Sequence, residues 1–354
     1  MDWYRLKSIG LKRETIKQLM NFKSEYEEIL KIDSERLKTD FRLNEQEIQR
    51  IKNSKNCREY EEDILKLEKQ DIKVISMNSL EYPETLRNIS DPPIFLYYRG
   101  DISLIKNTVL SIVGTRKATS YGIEFTKKIA KEMALADITI ASGMAMGIDI
   151  VAQRVALENR GKVIGIAATG LDIRYPWENR REIERIEKEG VVISEFPPGT
   201  EPFKYNFPMR NRVIVGISKG IVVVESGEKG GSLITASIAI DEGRDVFALP
   251  GDIYSPYSKG CNNLIKASEA KLITSSQDIF EEYGWKYKNR EEKKNIDLSD
   301  NALAIYNALK VSMNLDELVI STGLEGKKIL SNLVELEIKG YVMSISGGRY
   351  KRKV

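Results

Sequence analysis

VLSIVGTRKATSYG, from Val109 to Gly122, runs as an apolar, β-prone stretch into a glycine, a few small polar residues and a helix-like segment. The same device recurs at ITIASGMAMGID (Ile138 to Asp149) and at IVVVESGEKGGSLITA (Ile221 to Ala236). A strand that ends in glycine lets the backbone come close to a ligand. The helix after it offers unpaired N–H groups and the positive end of its dipole to an anion. Repeated in one sheet, such loops line a single edge with phosphate sites, so the chain is expected to handle nucleotides or nucleic acid.

Working outward, strands are expected at 73–76, 109–113, 139–141, 163–167, 191–194, 221–225, 246–248 and 271–273, with helices at 121–136, 150–159, 178–189 and 232–242 between them. Continuous apolar strands alternating with helices imply a parallel sheet covered on both faces. The fold class is therefore α/β, a Rossmann-like, doubly wound, mostly parallel sheet spanning residues 71–284, with ligands expected outside the strand carboxyl ends. Residues 1–70 read as a small helical domain, with helices at 13–26, 44–52 and 57–69; Ile16, Leu19, Met20 and Phe22 recur at helical spacing and are expected to pack inward. Ile9-Gly10-Leu11 has the form of a helix-hairpin-helix turn, either a DNA-backbone contact or a plain turn in a helical domain. Residues 285–297 (WKYKNREEKKN and its flank) form a charged linker. The tail, 298–354, reads as three helices at 301–309, 315–321 and 325–339 and a hairpin turned at Gly347-Gly348, which is the pattern of a winged helix. That tail holds eight Lys or Arg against six Asp or Glu, so protein interaction is as good a reading as groove binding.

Composition narrows the chemistry. The 354 residues carry a net charge of only +3, so phosphate contacts must be local rather than a coat of positive charge. Two distant cysteines, Cys57 and Cys261, support neither a disulfide framework nor a metal site, and no metal or cofactor is expected. The absence of histidine removes His-based acid–base catalysis, the Ser-His-Asp triad and His-ligated metals. Neither dinucleotide nor P-loop fingerprints are matched. Met1 to Gly10 mixes charges with its apolar residues and no apolar run approaches ~20 residues, so a cytoplasmic protein with no membrane partner is expected.

Arg116, after Gly114-Thr115, sets a phosphate-matching guanidinium beside backbone donors, unless it pairs with a carboxylate to hold its loop. Gly143 and Gly147 make room for a ligand or for tight packing, and Asp149 is expected to cap its helix. Glu225 to Thr235 ends a buried strand in a glutamate and opens a helix through a glycine-rich loop; Ser232 is placed to cap that helix and meet phosphate, and Lys229 to neutralise charge. Phe196 to Arg212 (FPPGTEPFKYNFPMRNR) reads as a stiff loop of four prolines and three phenylalanines interleaved with cations. That mixture suits single-stranded nucleic acid, whose bases stack on aromatics while its phosphates meet cations. Phe196 and Phe203 are expected to be buried, Phe207 and Lys204 to make contact.

These residues resemble the DNA-processing protein A (DprA/Smf) family of bacteria. The resemblance rests on Tyr82-Pro83, Asp91-Pro92-Pro93, Val113-Gly114-Thr115-Arg116, Ser142 to Asp149, Gly170-Leu171-Asp172 with Tyr175-Pro176 and Asn179, Phe207-Pro208 with Arg210-Asn211-Arg212, Gly231 to Ala236, Gly243 to Val246 and Pro250-Gly251. It implies a sterile-alpha-motif-like N-terminal domain, a winged-helix tail, and a non-enzymatic mediator. Such a mediator binds and protects single-stranded DNA during natural transformation, dimerises, and loads RecA recombinase onto the strand. By the same resemblance Arg116, Lys204, Arg210 and the Gly231-Ser232 turn form the DNA pocket, Phe207 meets a base, and Lys271 contacts DNA. Gly114, Gly143, Gly147, Arg180 and Asn211 complete the expected DNA-binding set. Trp177 stands where the family often has a lysine, with Arg174 or Arg180 as substitutes. A second reading, a Rossmann-like hydrolase acting on a free nucleotide, draws on Glu225 and Gly230-Gly231.

Overall fold

Strands that are apolar on both sides must be covered on both faces, and the computed structural model, which describes residues 2–285, 298–309, 311–345 and 347–352, shows how this is met. Nine strands form one sheet: β1 (Lys73–Ser76), β2 (Phe95–Gly100), β3 (Val109–Gly114), β4 (Thr139–Ser142), β5 (Val163–Ile166), β6 (Val191–Ser194), β7 (Gly220–Val224), β8 (Asp245–Ala248) and β9 (Lys271–Leu272). Their order is β1-β2-β6-β5-β4-β3-β7-β8-β9. From β6 through β9 every pairing is parallel, whereas β2 runs antiparallel to both β1 and β6. The chain leaves β3 in one direction through β4 to β6 and returns on the other side at β7. The winding therefore reverses between β3 and β7, which is where a doubly wound sheet opens a crevice.

The chain forms two compact units, Met1–Lys288 and Asn289–Val354. In the first, a continuous buried apolar cluster joins N-terminal side chains such as Trp3, Leu19 and Ile51 to the sheet residues Leu110, Ile164 and Val222. Helix Arg13–Phe22 buries Ile16, Leu19 and Met20, but Phe22 lies at the rim, packed edge-on against Phe41 at 5.3 Å with Arg36 over its face. A capping box between Asn44 and Glu47 starts helix Glu45–Asn53 one residue later than expected. Gly10 adopts φ +80° between helices Tyr4–Ser8 and Arg13–Phe22, as a turn there requires. The second unit has helices Asp300–Ala308, Leu315–Thr322 and Gly326–Ile338 beside a sheet of β10 (Met313–Asn314), β12 (Arg349–Arg352) and β11 (Val342–Ile345), a winged helix with its own core. Apart from Trp285, the charged linker lies outside the described residues. Among the described residues no helix is long and apolar enough to cross a membrane.

The stretch expected to be a loop through Arg212 is instead helical from Asn206 to Ile217. Pro208 falls in the first turn, where its missing N–H has no intrahelical partner to lose, so the proline does not break the helix. This helix brings Arg212 onto Glu195 and the backbone carbonyl of Asp91, while the Asp91 carboxylate also takes Arg13 at 2.7 Å and Lys17 at 3.1 Å from helix Arg13–Phe22. Burial pushes the Glu195 carboxyl above its usual range against the pull of Arg212. Arg212→Ala is expected to destabilise the protein by about 3–5 kcal/mol by leaving that carboxylate buried without its cation; a urea-unfolding midpoint equal to the parent's would contradict this role.

Candidate nucleic-acid interface

At the β3/β7 reversal a cleft of about 300 Å³ opens at the strand carboxyl ends. Gly114, Thr115 and Arg116 form one wall, Ser226, Gly227 and the Gly230-Gly231-Ser232 turn another, and Phe207, Arg210 and Asn211 of helix Asn206–Ile217 the third. Helix Gly231–Asp241 starts at Gly230 with no side-chain cap, so its first-turn donors keep the anion-binding character of a free helix N-terminus. A Cβ on Gly231 would meet nothing within 4 Å, which leaves that wall open to a ligand.

Arg116 is exposed, makes no ion pair among the described residues, and holds its guanidinium 5.7 Å from the Phe207 ring centre. The alternative in which it clamps its loop to a carboxylate is therefore not the arrangement seen. Loop clamping falls to Glu225, whose carboxylate accepts the Thr119 N–H at 2.8 Å and the Thr119 hydroxyl, and whose carbonyl accepts the Thr115 N–H at 2.9 Å. Phe207 is half-buried, meets Tyr175 edge-on at 5.7 Å, and separates the main cleft from a second one of about 120 Å³ that Gly143, Met146 and Tyr175 help to line.

Arg210 lines both clefts yet is only 6% exposed. Its guanidinium donates to the carbonyls of Gly143, at 2.9 Å, and Ile166, and its Nε donates to the Asn211 amide oxygen at 3.3 Å. Burial pushes its pKa down to about 10 against the pull of Asp149. Asp149 does not cap its own helix as expected. It reaches back to accept the Gly143 N–H at 3.1 Å, because the buried cation beside it favours an inward carboxylate; burial still pushes its pKa up, Arg210 opposing. Ser232 likewise leaves its helix uncapped and donates to the Ser226 hydroxyl at 2.9 Å, since Gly230 occupies the cap position.

Other expected residues lie apart from the cleft. Gly147 adopts φ +82° where the β4 loop crosses the Thr115-Arg116 backbone, a packing position. Lys204 is exposed on the turn before helix Asn206–Ile217, between Phe203 and Tyr205, whose rings stack at 5.5 Å. Phe203 is 49% exposed rather than buried, because its ring packs on Tyr205 outside the core; Phe196 is buried. Lys229 is exposed on its loop. Arg180 sits 4.5 Å over the Trp177 ring and pairs with Glu184, and Arg174 pairs with Glu187 at 2.7 Å, so both substitutes for a lysine at Trp177 are engaged. Lys271 lies on edge strand β9, paired with Glu282 at 2.5 Å, two strands from β7 and off the cleft. Sequence reasoning missed Ser226, Thr235 and Tyr175 as cleft residues. Ser226 follows the Glu225 already singled out, and Thr235 and Tyr175 stand inside motifs that carry the family resemblance, but no spacing in the chain brings Tyr175 beside Phe207.

Fold and cleft together define a doubly wound α/β protein with a glycine-walled cleft at the strand carboxyl ends and a separate winged-helix unit. Residues 73–284 match the family model "DNA recombination-mediator protein A", and 290–348 match the "DprA winged helix domain". The chain belongs to the DNA-processing protein A (DprA/Smf) family. It is 43% identical to DNA processing protein DprA of Bacillus subtilis over 60% of this chain and 72% of that one. Protein Smf of Escherichia coli is 33% identical over 80% of this chain and 78% of its own. A solved structure of DprA from Streptococcus pneumoniae aligns with a TM-score of 0.65 at 35% identity, covering 80% of this chain and 98% of that one. Another, of DNA processing protein A from Helicobacter pylori, described for its unique single-stranded DNA binding mode, aligns with a TM-score of 0.56 at 29% identity over 61% of this chain and 97% of that one.

A Cβ on Gly143 would lie 2.6–2.8 Å from the Arg210 guanidinium, which cannot yield without losing its carbonyl partners. Gly143→Ala should therefore cost about 1–3 kcal/mol, whereas Gly231→Ala, facing open space, should be near neutral. Thermal unfolding of the two variants tests this, and equal midpoints would refute it.

Proposed function

We propose that the protein holds single-stranded DNA across the β3/β7 cleft as a recombination mediator, protecting an incoming strand in the cytoplasm and delivering it to RecA recombinase as a homodimer, with no catalysis of its own. The observation that carries this reading is Arg116, an exposed guanidinium with no ion pair among the described residues, set against the face of Phe207 at the mouth of a glycine-walled cleft. Arginine presents a planar fork to phosphate, and the ring beside it offers a stacking face to a base. Phosphate would also meet the donors at the Gly230-Gly231 turn, while Arg210 and Asn211 fix the wall from which Phe207 projects. Lys204, with the exposed Phe203–Tyr205 pair, extends the same aromatic and cationic chemistry beyond the cleft. The single-stranded DNA binding of the Helicobacter relative, at 29% identity, supports this reading.

The hydrolase alternative draws on a carboxylate at the end of β7. Glu225, however, is buried and committed to Thr119, and it does not line the cleft, which favours a binding role. In this reading the helical segment 1–70, with its sterile-alpha-motif-like character, and the winged helix recruit partners. Helix Gly326–Ile338 carries exposed Leu330, Val334 and Ile338 at four-residue spacing, an apolar stripe suited to a protein more than to a DNA groove.

Arg116→Ala and Lys204→Ala are each expected to weaken binding of a labelled single-stranded oligonucleotide by about 1–3 kcal/mol, roughly 5- to 150-fold, in fluorescence polarisation. Unchanged affinity in both would overturn the assignment. Binding should also fall with salt, with a logarithmic slope of about −0.7 per phosphate neutralised; a flat response would exclude a phosphate-led site.

A further inference from the structure

The opposite edge of the same sheet holds a larger cleft, about 640 Å³, at the amino ends of β3, β7 and β8. Val109 opens β3, Ile217 and Lys219 precede β7, and Arg244 precedes β8; Lys219 N–H donates to the Val109 carbonyl at 2.9 Å and ties these entries together. Four cations line the cleft, namely Arg87, Lys106, Lys219 and Arg244, against one carboxylate, Glu84. Its inner lining is apolar, including buried Ile105, Val109 and Ile217.

Helix C-termini also attract cations, and two helices, Asn206–Ile217 and Gly231–Asp241, end near this edge. Each contributes about half a negative charge, so together they neutralise about one cation. Glu84 and Asp245, the first residue of β8, account for two more at most, and positive charge is left over. Arg87 is held by the fold, donating to the carbonyls of Met77 at 3.1 Å and Ser79 at 3.3 Å, but the other three cations are not used up by protein partners. Lys106 and Lys219 are exposed, Lys219 resting 4.7 Å from the Tyr283 ring. Arg244 donates from Nη2 to the Thr85 carbonyl at 3.1 Å, but its Nε is buried with no acceptor. That donor is left unmet by the protein, so the fold does not satisfy the Arg244 guanidinium completely.

We propose that this cleft is a second site, distinct from the strand-binding cleft, which takes a nucleotide phosphate. The apolar lining accepts the base or sugar face, and Lys106, Lys219 and Arg244 meet the phosphate. The phosphate could belong to a free nucleotide or to a distal part of a bound strand.

The test is a fluorescence titration of the full-length protein with anthraniloyl-labelled dAMP, competed with unlabelled dAMP, beside polarisation with labelled dT20. Variants are Lys106→Glu/Lys219→Glu, the milder Lys219→Met, and Arg116→Ala as a lesion of the other site. The expected result is saturable nucleotide binding that weakens about tenfold or more in the double Glu variant, less in Lys219→Met, and not at all in Arg116→Ala. Unchanged dT20 affinity in the double variant would then identify a free nucleotide as the occupant, and a parallel loss would identify the strand. No saturable nucleotide binding, or binding lost only in Arg116→Ala, would overturn this site. Failure of Arg116→Ala to weaken dT20 would instead count against the strand-binding cleft alone.

Discussion

The cleft at the carboxyl edge depends on one buried guanidinium. Arg210 sits inside the protein at 6% exposure, and a cation in that position must be met from several sides or the site cannot form. The carbonyls of Gly143 and Ile166 supply two acceptors from the ends of β4 and β5, and Asp149 supplies opposite charge from the next helix. Gly143 has to be glycine because the guanidinium occupies the space of a side chain. Asp149 then folds the β4 loop back by accepting the Gly143 N–H, which settles the loop that borders Arg116 and Phe207. Arg210 thus acts mainly by shaping the wall of the cleft.

With a net charge of only +3, the electrostatics of the cleft are set by a few local groups. One exposed arginine at the cleft mouth works beside backbone donors and an aromatic face, where field lines are focused by low-dielectric walls. Several other cations near this edge are held by carboxylates, Arg174 by Glu187, Arg180 by Glu184 and Arg212 by Glu195, while Lys204 and Lys229 stay exposed. Such pairs hold the sheet's flanks together and contribute little net field.

Much of the core was legible because its physics is local. Buried parallel strands are continuous apolar runs, and all eight expected strands lie within a residue of their observed bounds, leaving only β2 of the nine unforeseen. β2 escaped because FLYYRG pairs antiparallel with β1 and β6 and lacks a helix of its own to mark a crossover. Helix Asn206–Ile217 was hidden by Pro208, which argues for a loop unless it falls in the first turn. Among site residues, Gly114, Arg116, Phe207 and Gly231 announce themselves by residue type in a strand–loop–helix frame. The reach of Asp149 to Gly143, of Glu225 to Thr119 and of Ser232 to Ser226 depends on which loops the sheet order makes adjacent, and no spacing in the chain encodes that directly.

Sheet order also makes the two edges chemically different. At the carboxyl ends, helices begin, so backbone N–H groups supply positive potential and glycines let a ligand approach them. At the amino ends, helices finish, and the same dipoles turn negative potential toward the solvent. An anion site there can be made only with side-chain cations in excess of that field, and the entries to β3, β7 and β8 carry such an excess in Lys106, Lys219 and Arg244. A single winding reversal between β3 and β7 therefore frames two openings in one domain. One is built from backbone donors beside glycines, the other from the side chains of lysine and arginine.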